Sequence, residues 1–167
     1  MTGGVTLLRY TIAHDCGTII NPMIVDGQVH GGTAHGIGNA LFEHMRYDAD
    51  ANPLSTTLQD YLLPTATNVP MFQVLHVETP NPLNPIGVNG AGEGGAIPAA
   101  AAIVSAIEDA LSPLGVRFYE MPLTPERIVA TLREAGAYGK LATTPPESDP
   151  TSLFKMHGPR GLKRSVV

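Results

Sequence analysis

The sequence predicts an α+β fold in which a mixed sheet packs against helices. Three patterns predict it: hydrophobicity alternates near the N-terminus, apolar residues recur every fourth position along a long helix, and an Ala-rich apolar helix follows later. With 167 residues, 43% hydrophobic and 15% charged, the chain has the composition of one globular domain. Its net charge of −5 argues against a nucleic-acid partner, because binding to phosphates needs a basic surface.

The first two elements are a strand and a helix. Residues 5–13 alternate and are predicted as a strand whose buried face carries Leu8, Tyr10 and Ile12. Asn21-Pro22 supplies an N-cap and a first-turn proline for the helix. The stripe of this helix that should face the core is Val25, Val29, Thr33, Ile37 and Leu41. The helix also contains five glycines, Gly27, Gly31, Gly32, Gly36 and Gly38. Each costs about 1 kcal/mol relative to alanine, so we expect another backbone or a ligand to approach closely.

Further strands and helices follow along the chain. The segments predicted as strands are 44–47, 55–63, 71–79 and 116–121. Pro98 opens a helix that runs to about Leu111 and is apolar enough to be buried nearly all round. A last helix begins at Thr124-Pro125 and ends at Gly136. We expect the domain to span residues 1–137 and residues 138–167 to form a flexible tail without function.

The cysteine content and the apolar runs limit the location of the chain. The single cysteine, Cys16, excludes an internal disulfide and any cysteine-rich zinc or iron–sulfur site. A reducing, cytoplasmic compartment fits best. The longest apolar run, residues 97–107, is shorter than the roughly 20 residues that a membrane span needs. The first predicted strand starts almost at the first residue, as we expect of a chain that begins in mid-domain.

Residues 87–95 are the most unusual stretch, with five glycines in nine positions around Glu93. Glycines let a backbone approach a bound group and aim its N–H donors at it, and the following helix adds the positive end of its dipole. Two roles of Glu93 stay open from the residues alone. It is either a proton acceptor or a charge that offsets the helix dipole.

Two other patterns suggest different chemistry. Gly90, Gly92 and Gly95 have the spacing of a dinucleotide-binding fingerprint, but a proline-rich passage rather than a strand precedes them. Cys16 lies two residues after His14, so that a thiol and an imidazole share one strand face, as a cysteine hydrolase requires. A buried structural cysteine is the commoner case.

The remaining polar residues of the first helix region give little evidence of a metal. His30, His35 and His44 are five and nine residues apart and do not stack on one helix face, so we expect no protein-ligated metal. Gln28 lies beside the helical glycines. A mid-helix glutamine normally faces solvent, unless the glycines mark a ligand that runs alongside.

Four segments taken together resemble a known family. They are the motifs at 15–22 (DCGTIINP), 26–32 (DGQVHGG), 60–65 (DYLLPT) and 85–95 (PIGVNGAGEGG). In this order they resemble the C-terminal part of the large subunit of the xanthine oxidase family of molybdenum hydroxylases, over roughly residues 3–136. The resemblance is closest to the bacterial branch of carbon monoxide dehydrogenases and aldehyde dehydrogenases.

The resemblance implies an oxidoreductase with a molybdenum–pterin cofactor, in bacteria usually the cytosine dinucleotide form. The pterin holds the metal, so the protein need supply no ligand. Such an enzyme oxidises a carbon centre of a small molecule, an aldehyde or an aromatic heterocycle, with water as the oxygen source. The resemblance further implies iron–sulfur clusters and FAD in partner subunits, because this chain has one cysteine.

Carried over by position, the resemblance assigns roles to six residues. Glu93 matches the catalytic glutamate, a base near the molybdenum, and Gln28 matches the glutamine that hydrogen-bonds the pterin. Gly90, Ala91 and Gly92 match the loop that lies against the metal centre. Asn89 stands where many relatives carry lysine, which removes a positive charge near the cofactor.

Length is the largest departure from the family. Its large subunits are several times longer, so we expect this chain to be an incomplete piece, inactive without the remaining part of the large subunit. The alternative is a non-catalytic assembly module whose glycine loop packs against a partner.

Overall fold

A computed structural model describes residues 2–138 and contains two strands and three α-helices in that range. In chain order they are β1 (Tyr10–Asp15), α1 (Pro22–Leu41), β2 (Phe72–Val77), α2 (Ala99–Ala110) and α3 (Pro125–Glu134), with a 3-10 turn at Ser112–Leu114. The α+β class is therefore confirmed, but the sheet within residues 2–138 is parallel rather than mixed. Strands β1 and β2 run parallel, from Tyr10 opposite Phe72 to Asp15 opposite Val77. Antiparallel pairing within residues 2–138 is limited to isolated bridges.

Helix α1 begins as its sequence predicts. Asn21 is the N-cap, and its side-chain oxygen accepts a hydrogen bond from the Ile24 amide at 3.2 Å. Pro22 occupies the first turn, where a missing N–H costs nothing. The predicted stripe faces the core: Val25 is half-buried, and the other four members are buried.

The glycines of α1 allow a close approach to the chain before and within α2. A Cβ on Gly36 would lie 2.4 Å from the Ala99 Cβ, and one on Gly32 would lie 2.9 Å from the Ala96 amide nitrogen. The expected close approach of another backbone is thus confirmed for these two positions. Gly27 and Gly31, on the same helix, have nothing within 4 Å of such a Cβ.

The core lies between α1, α2 and α3. Its members include Ile37, Leu41, Ile103, Leu123 and Leu132, all buried. Helix α2 buries only Ala99, Ile103 and Ile107, so the prediction that it is enclosed nearly all round is wrong for the described residues. Elements within residues 2–138 cover only one face of α2, so the apolar residues on its other faces are not buried by them.

The first predicted strand is shifted. Regular pairing covers Tyr10–Asp15 rather than residues 5–13. Before Tyr10, Val5 and Leu7 pack against the core while Leu8 is exposed, so the predicted buried face is wrong there. Parallel pairing with β2 begins only at Tyr10, and the chain before it follows the helices instead.

The predicted strands at 44–47 and 55–63 are also wrong. One bridge, Tyr47 to Pro53, remains, and the segments fold as turns. Local side chains favour this outcome: Asp48 Oδ1 accepts hydrogen bonds from the Asp50 and Asn52 amides, an arrangement that competes with a ladder. The segment 116–121 forms no strand either, because the Phe118 amide donates to the Glu108 side chain at 2.7 Å.

The other elements agree with the sequence. The predicted strand at 71–79 is present as β2, and α2 lies within one residue of its predicted bounds at either end. Thr124 caps α3 by accepting from the Arg127 amide, and Gly136, with φ of +61°, follows its end. The predicted tail lies outside the described residues from 139 onward. Over residues 2–138, no helix is both long and apolar enough to cross a bilayer.

The two classes of glycine in α1 give a testable difference in stability. We expect Gly36→Ala to lower the free energy of unfolding by about 1–3 kcal/mol, because its Cβ overpacks the contact with Ala99. The matched control Gly31→Ala fills open space in the same helix and should raise the free energy of unfolding by about 0.5–1 kcal/mol. Urea unfolding followed by far-UV circular dichroism measures both. Equal effects of the two substitutions would contradict this packing of α1.

Candidate functional site

The glycine loop, residues 87–95, is attached to the end of β1 through its backbone. The Asn89 amide donates to the Cys16 carbonyl at 2.8 Å, and the Thr18 amide donates to the Gly87 carbonyl at 2.9 Å. Both Gly17 and Gly87 have positive φ, and a Cβ on Gly17 would lie 2.2 Å from the Gly87 oxygen. These glycines let two backbones meet where a side chain would separate them.

Asparagine side chains before the loop fix its first residues. Asn84 accepts from the Val88 amide at 3.0 Å and donates to the Val88 carbonyl at 2.9 Å. Asn81 donates to the side-chain oxygen of Asn89 at 2.6 Å. Asn89, one of the predicted cofactor-binding residues, is exposed and is held by this amide pair.

Carboxylates tie the chain between β1 and α1 to the end of β2. Asp15 accepts from the Gly17 amide at 2.9 Å and from the Thr79 amide at 3.1 Å. Hydrogen bonds from Thr79 and from the Gly17 amide hold the pKa of Asp15 below its ordinary value. Glu78 accepts from the Ile19 amide at 2.9 Å. The motif that begins at Asp15 is therefore a structural support beneath the glycine loop.

Gln28 and the glycine loop meet directly. Its side-chain Nε2 donates to the Gly92 carbonyl at 2.6 Å, across 64 residues of sequence. Gln28 lies on an exposed part of α1, and Gly92 is exposed as well. Two predicted site residues from separate motifs are thus brought into contact, and the amide of Gln28 lies beside the residue that precedes Glu93.

Glu93 lies at a bend with its side chain exposed. Its carbonyl accepts hydrogen bonds from the Ala96 and Ile97 amides at 2.9 and 3.1 Å, so its backbone is fixed while its carboxyl is accessible. Helix α2 starts six residues later, at Ala99, and has no acidic residue in its first turn. This spacing disfavours the hypothesis that Glu93 serves mainly to offset the dipole of α2, since that effect falls off within one turn.

Four glycines near Gln28 and on the N-terminal side of Glu93 border open space. A Cβ built on Gly90 or Gly92 in the loop, or on Gly27 or Gly31 in α1, would meet nothing within 4 Å. Backbone without side chains on both the loop and the helix leaves room for a bound group to contact main-chain N–H and C=O groups. The exposed amide of Gln28 adds donor and acceptor atoms to the same region.

A histidine cluster lies directly behind the loop. His14 of β1 is 7% exposed and stacks edge-on against His76 of β2, with ring centroids 5.9 Å apart. His76 Nε2 lies 2.6 Å from a carboxylate oxygen of Asp26 on α1. Asp26 and His76 were not among the predicted site residues, because the register that places His14 opposite His76 is not visible in the sequence.

The alternative sites lack the structural context they need. Cys16 is 3% exposed, the environment of a structural cysteine. The Gly90-x-Gly92 pattern follows turns rather than a strand, unlike a dinucleotide-binding loop. Within residues 2–138, no group of three or more His, Cys, Asp or Glu side chains could hold a metal ion.

An apolar groove of about 580 Å³ opens elsewhere, between the N-terminal segment 2–7, α2 and α3. Its lining includes neither Gln28 nor any residue of the glycine loop. We therefore place the candidate site at the loop, where polar groups converge, rather than in this groove.

Comparison with known proteins identifies relatives of this chain. A family model described as a molybdopterin cofactor-binding domain matches residues 1–70. The large subunit of nicotine 6-hydroxylase from Paenarthrobacter nicotinovorans is 46% identical over 129 residues, which are 77% of this chain and 16% of that protein. The large chain of carbon monoxide dehydrogenase from Hydrogenophaga pseudoflava is 40% identical over 133 residues, 80% of this chain and 17% of that protein.

A solved structure gives the same result. Quinoline 2-oxidoreductase from Pseudomonas putida 86 aligns with a TM-score of 0.78 and 46% sequence identity, over 80% of this chain and 17% of that chain. The chain thus spans about one-sixth of the length of the relatives it matches.

Proposed function

The chain belongs to the xanthine oxidase family of molybdenum hydroxylases, as part of the molybdenum-binding subunit, and we propose that it supplies one wall of the cofactor site and the catalytic base. The observation that carries this proposal is the hydrogen bond from Gln28 to the Gly92 carbonyl, which joins two family motifs beside Glu93.

We propose that Gln28 and the loop residues Asn89, Gly90, Ala91 and Gly92 bind the molybdenum–pterin cofactor, in its cytosine dinucleotide form. The open space at Gly90 and Gly92 fits a bulky group pressed against the backbone. The amide of Gln28 fits a heterocycle rich in hydrogen-bond donors and acceptors, because its Oε1 and second N–H are not used by the contact with Gly92. The described residues contain no cluster of metal ligands, which is compatible with a metal whose ligands come from the pterin.

Glu93 is the proposed base. The cofactor supplies the redox chemistry, two-electron oxidation of a carbon centre with water as the oxygen source. Glu93 takes up the proton that this chemistry releases, from a carboxyl whose backbone is already fixed by the Ala96 and Ile97 amides. Its side chain is exposed in the described chain, so it is accessible to a substrate that enters from the open side.

The proposed partners are the remaining part of the subunit, an iron–sulfur subunit and a flavin subunit, in a cytoplasmic complex. Exposed apolar side chains support the proposal that another segment packs over this surface. Leu75 and Val77 on β2 are more than half exposed, and Ile97 before α2 is 75% exposed. One cysteine cannot ligate an iron–sulfur cluster by itself, so the proposed clusters lie outside these 167 residues. The substrate is a small molecule with an oxidisable carbon.

The base role predicts a specific loss in the complete assembly. We expect Glu93→Gln to lower kcat by about 100-fold or more, the usual share of a general base, with molybdenum content unchanged. Glu134→Gln, an exposed carboxylate on α3, is the matched control and should leave kcat unchanged. Steady-state kinetics together with metal analysis by mass spectrometry give both values. Turnover near that of the wild type in Glu93→Gln would refute the base role.

The binding role of Gln28 predicts a loss of cofactor instead. Molybdenum should be stoichiometric in the complete wild-type assembly, reduced in Gln28→Ala because a cofactor contact is lost, and far below stoichiometric in the 167-residue chain alone. Gln59→Ala, in an exposed turn, is the control. Full metal occupancy in Gln28→Ala would sink the binding role and favour the alternative of a non-catalytic assembly module. Full occupancy in the isolated chain would contradict its incompleteness.

A further inference from the structure

Glu93 lies between Gly92 and Gly94, and each of these two residues contacts a different element of the fold. On one side, the Gly92 carbonyl accepts the hydrogen bond from Gln28 of α1. On the other side, Gly94 packs against His14 of β1. A Cβ on Gly94 would lie 2.4 Å from His14 Nε2 and 2.7 Å from its Cδ2, and the three nearest atoms all belong to this ring.

His14 itself is fixed through His76 and Asp26. The two histidines are register partners in the parallel pair, and their rings meet edge to face at an interplanar angle of 82°. With Asp26 as a carboxylate, which only accepts, the 2.6 Å contact is a hydrogen bond that His76 Nε2 donates to Asp26. Asp26 is two residues before Gln28 on α1, so one turn of this helix supports both flanks of Glu93.

At its buried Nδ1, the His14 ring is held by packing and not by a hydrogen bond within residues 2–138. Its Nδ1 is buried and has no hydrogen-bond partner among the described residues, and the same holds for His76 Nδ1. We therefore assign the ring a steric role: it provides a flat surface against which Gly94 packs. Only glycine fits at position 94, because any Cβ would enter the ring.

We propose that His14 is a positioning residue for Glu93, which holds the Gly94 backbone so that the carboxyl points consistently toward the cofactor side of the loop. The kinetic part of this inference rests on the proposed base role of Glu93. The contact between His14 and Gly94 is independent of that role and is tested separately.

The contact is tested in the 167-residue chain by amide hydrogen exchange of the loop. We expect Gly94→Ala to speed exchange over residues 92–97, because the new Cβ collides with His14, and His14→Ala to speed it by removing the surface. The double variant should exchange more slowly than either single variant, because the smaller residue 14 accommodates the new methyl group. Gly90→Ala, which meets nothing within 4 Å, is the control for replacing a loop glycine.

The positioning role is tested in the complete assembly. We expect His14→Ala to lower kcat on the order of 10- to 100-fold, with KM and molybdenum content unchanged, because a displaced base loses rate and not binding. His14→Phe keeps a flat ring under Gly94 and should restore kcat to within a few-fold of wild type. Phe at position 14 also keeps the fold testable if alanine there destabilises it.

The outcomes separate this inference from the proposed function. Additive exchange effects in the double variant, or exchange in Gly94→Ala equal to that in Gly90→Ala, overturn the contact itself. A normal kcat in His14→Ala overturns the positioning role while leaving the Glu93→Gln result untouched. Loss of kcat in both His14→Ala and His14→Phe also overturns it, because the role would then not depend on ring shape.

Discussion

Close contact between the backbone of α1 and the glycine loop is the constraint on which the candidate site depends. A Cβ on Gly95 would lie 2.3 Å from the Val29 carbonyl oxygen, so helix and loop approach with no side chain between them. This approach brings the Gln28 amide to the Gly92 carbonyl and puts Glu93 next to that contact. A side chain at Gly95 would hold the helix and the loop apart, and Gln28 could then no longer reach the Gly92 carbonyl.

Local features of this fold were predictable, and long-range ones were not. The N-caps at Asn21 and Thr124 and the stripe of α1 follow from a few adjacent residues, whose chemistry acts within one or two turns. The start of β1 depends on where β2 pairs with it, some 60 residues away, so the strand begins five residues later than its alternation suggests. Turns held by Asp48 overrode the β-like pattern around them.

The candidate site shows the same division. The motifs indicated Gln28 and Glu93 separately, and only the folded chain shows that Gln28 reaches the neighbour of Glu93. The cluster of Asp26, His14 and His76 combines three elements, so no single segment reveals it. Helix α2 differs from its prediction for another reason. Its apolar composition is typical of a helix covered on all sides, but residues 2–138 cover only one of its faces. This is consistent with a chain about one-sixth as long as its relatives.

The most direct test of this account is a structure, by cryo-electron microscopy, of the chain assembled with the rest of its subunit and with cofactor bound. We expect the cofactor to lie against Gln28 and the Gly90–Gly92 backbone, and the Glu93 carboxyl to face a cavity closed by the added segments. A cofactor bound elsewhere, with the Glu93 carboxyl still in bulk water, would contradict it.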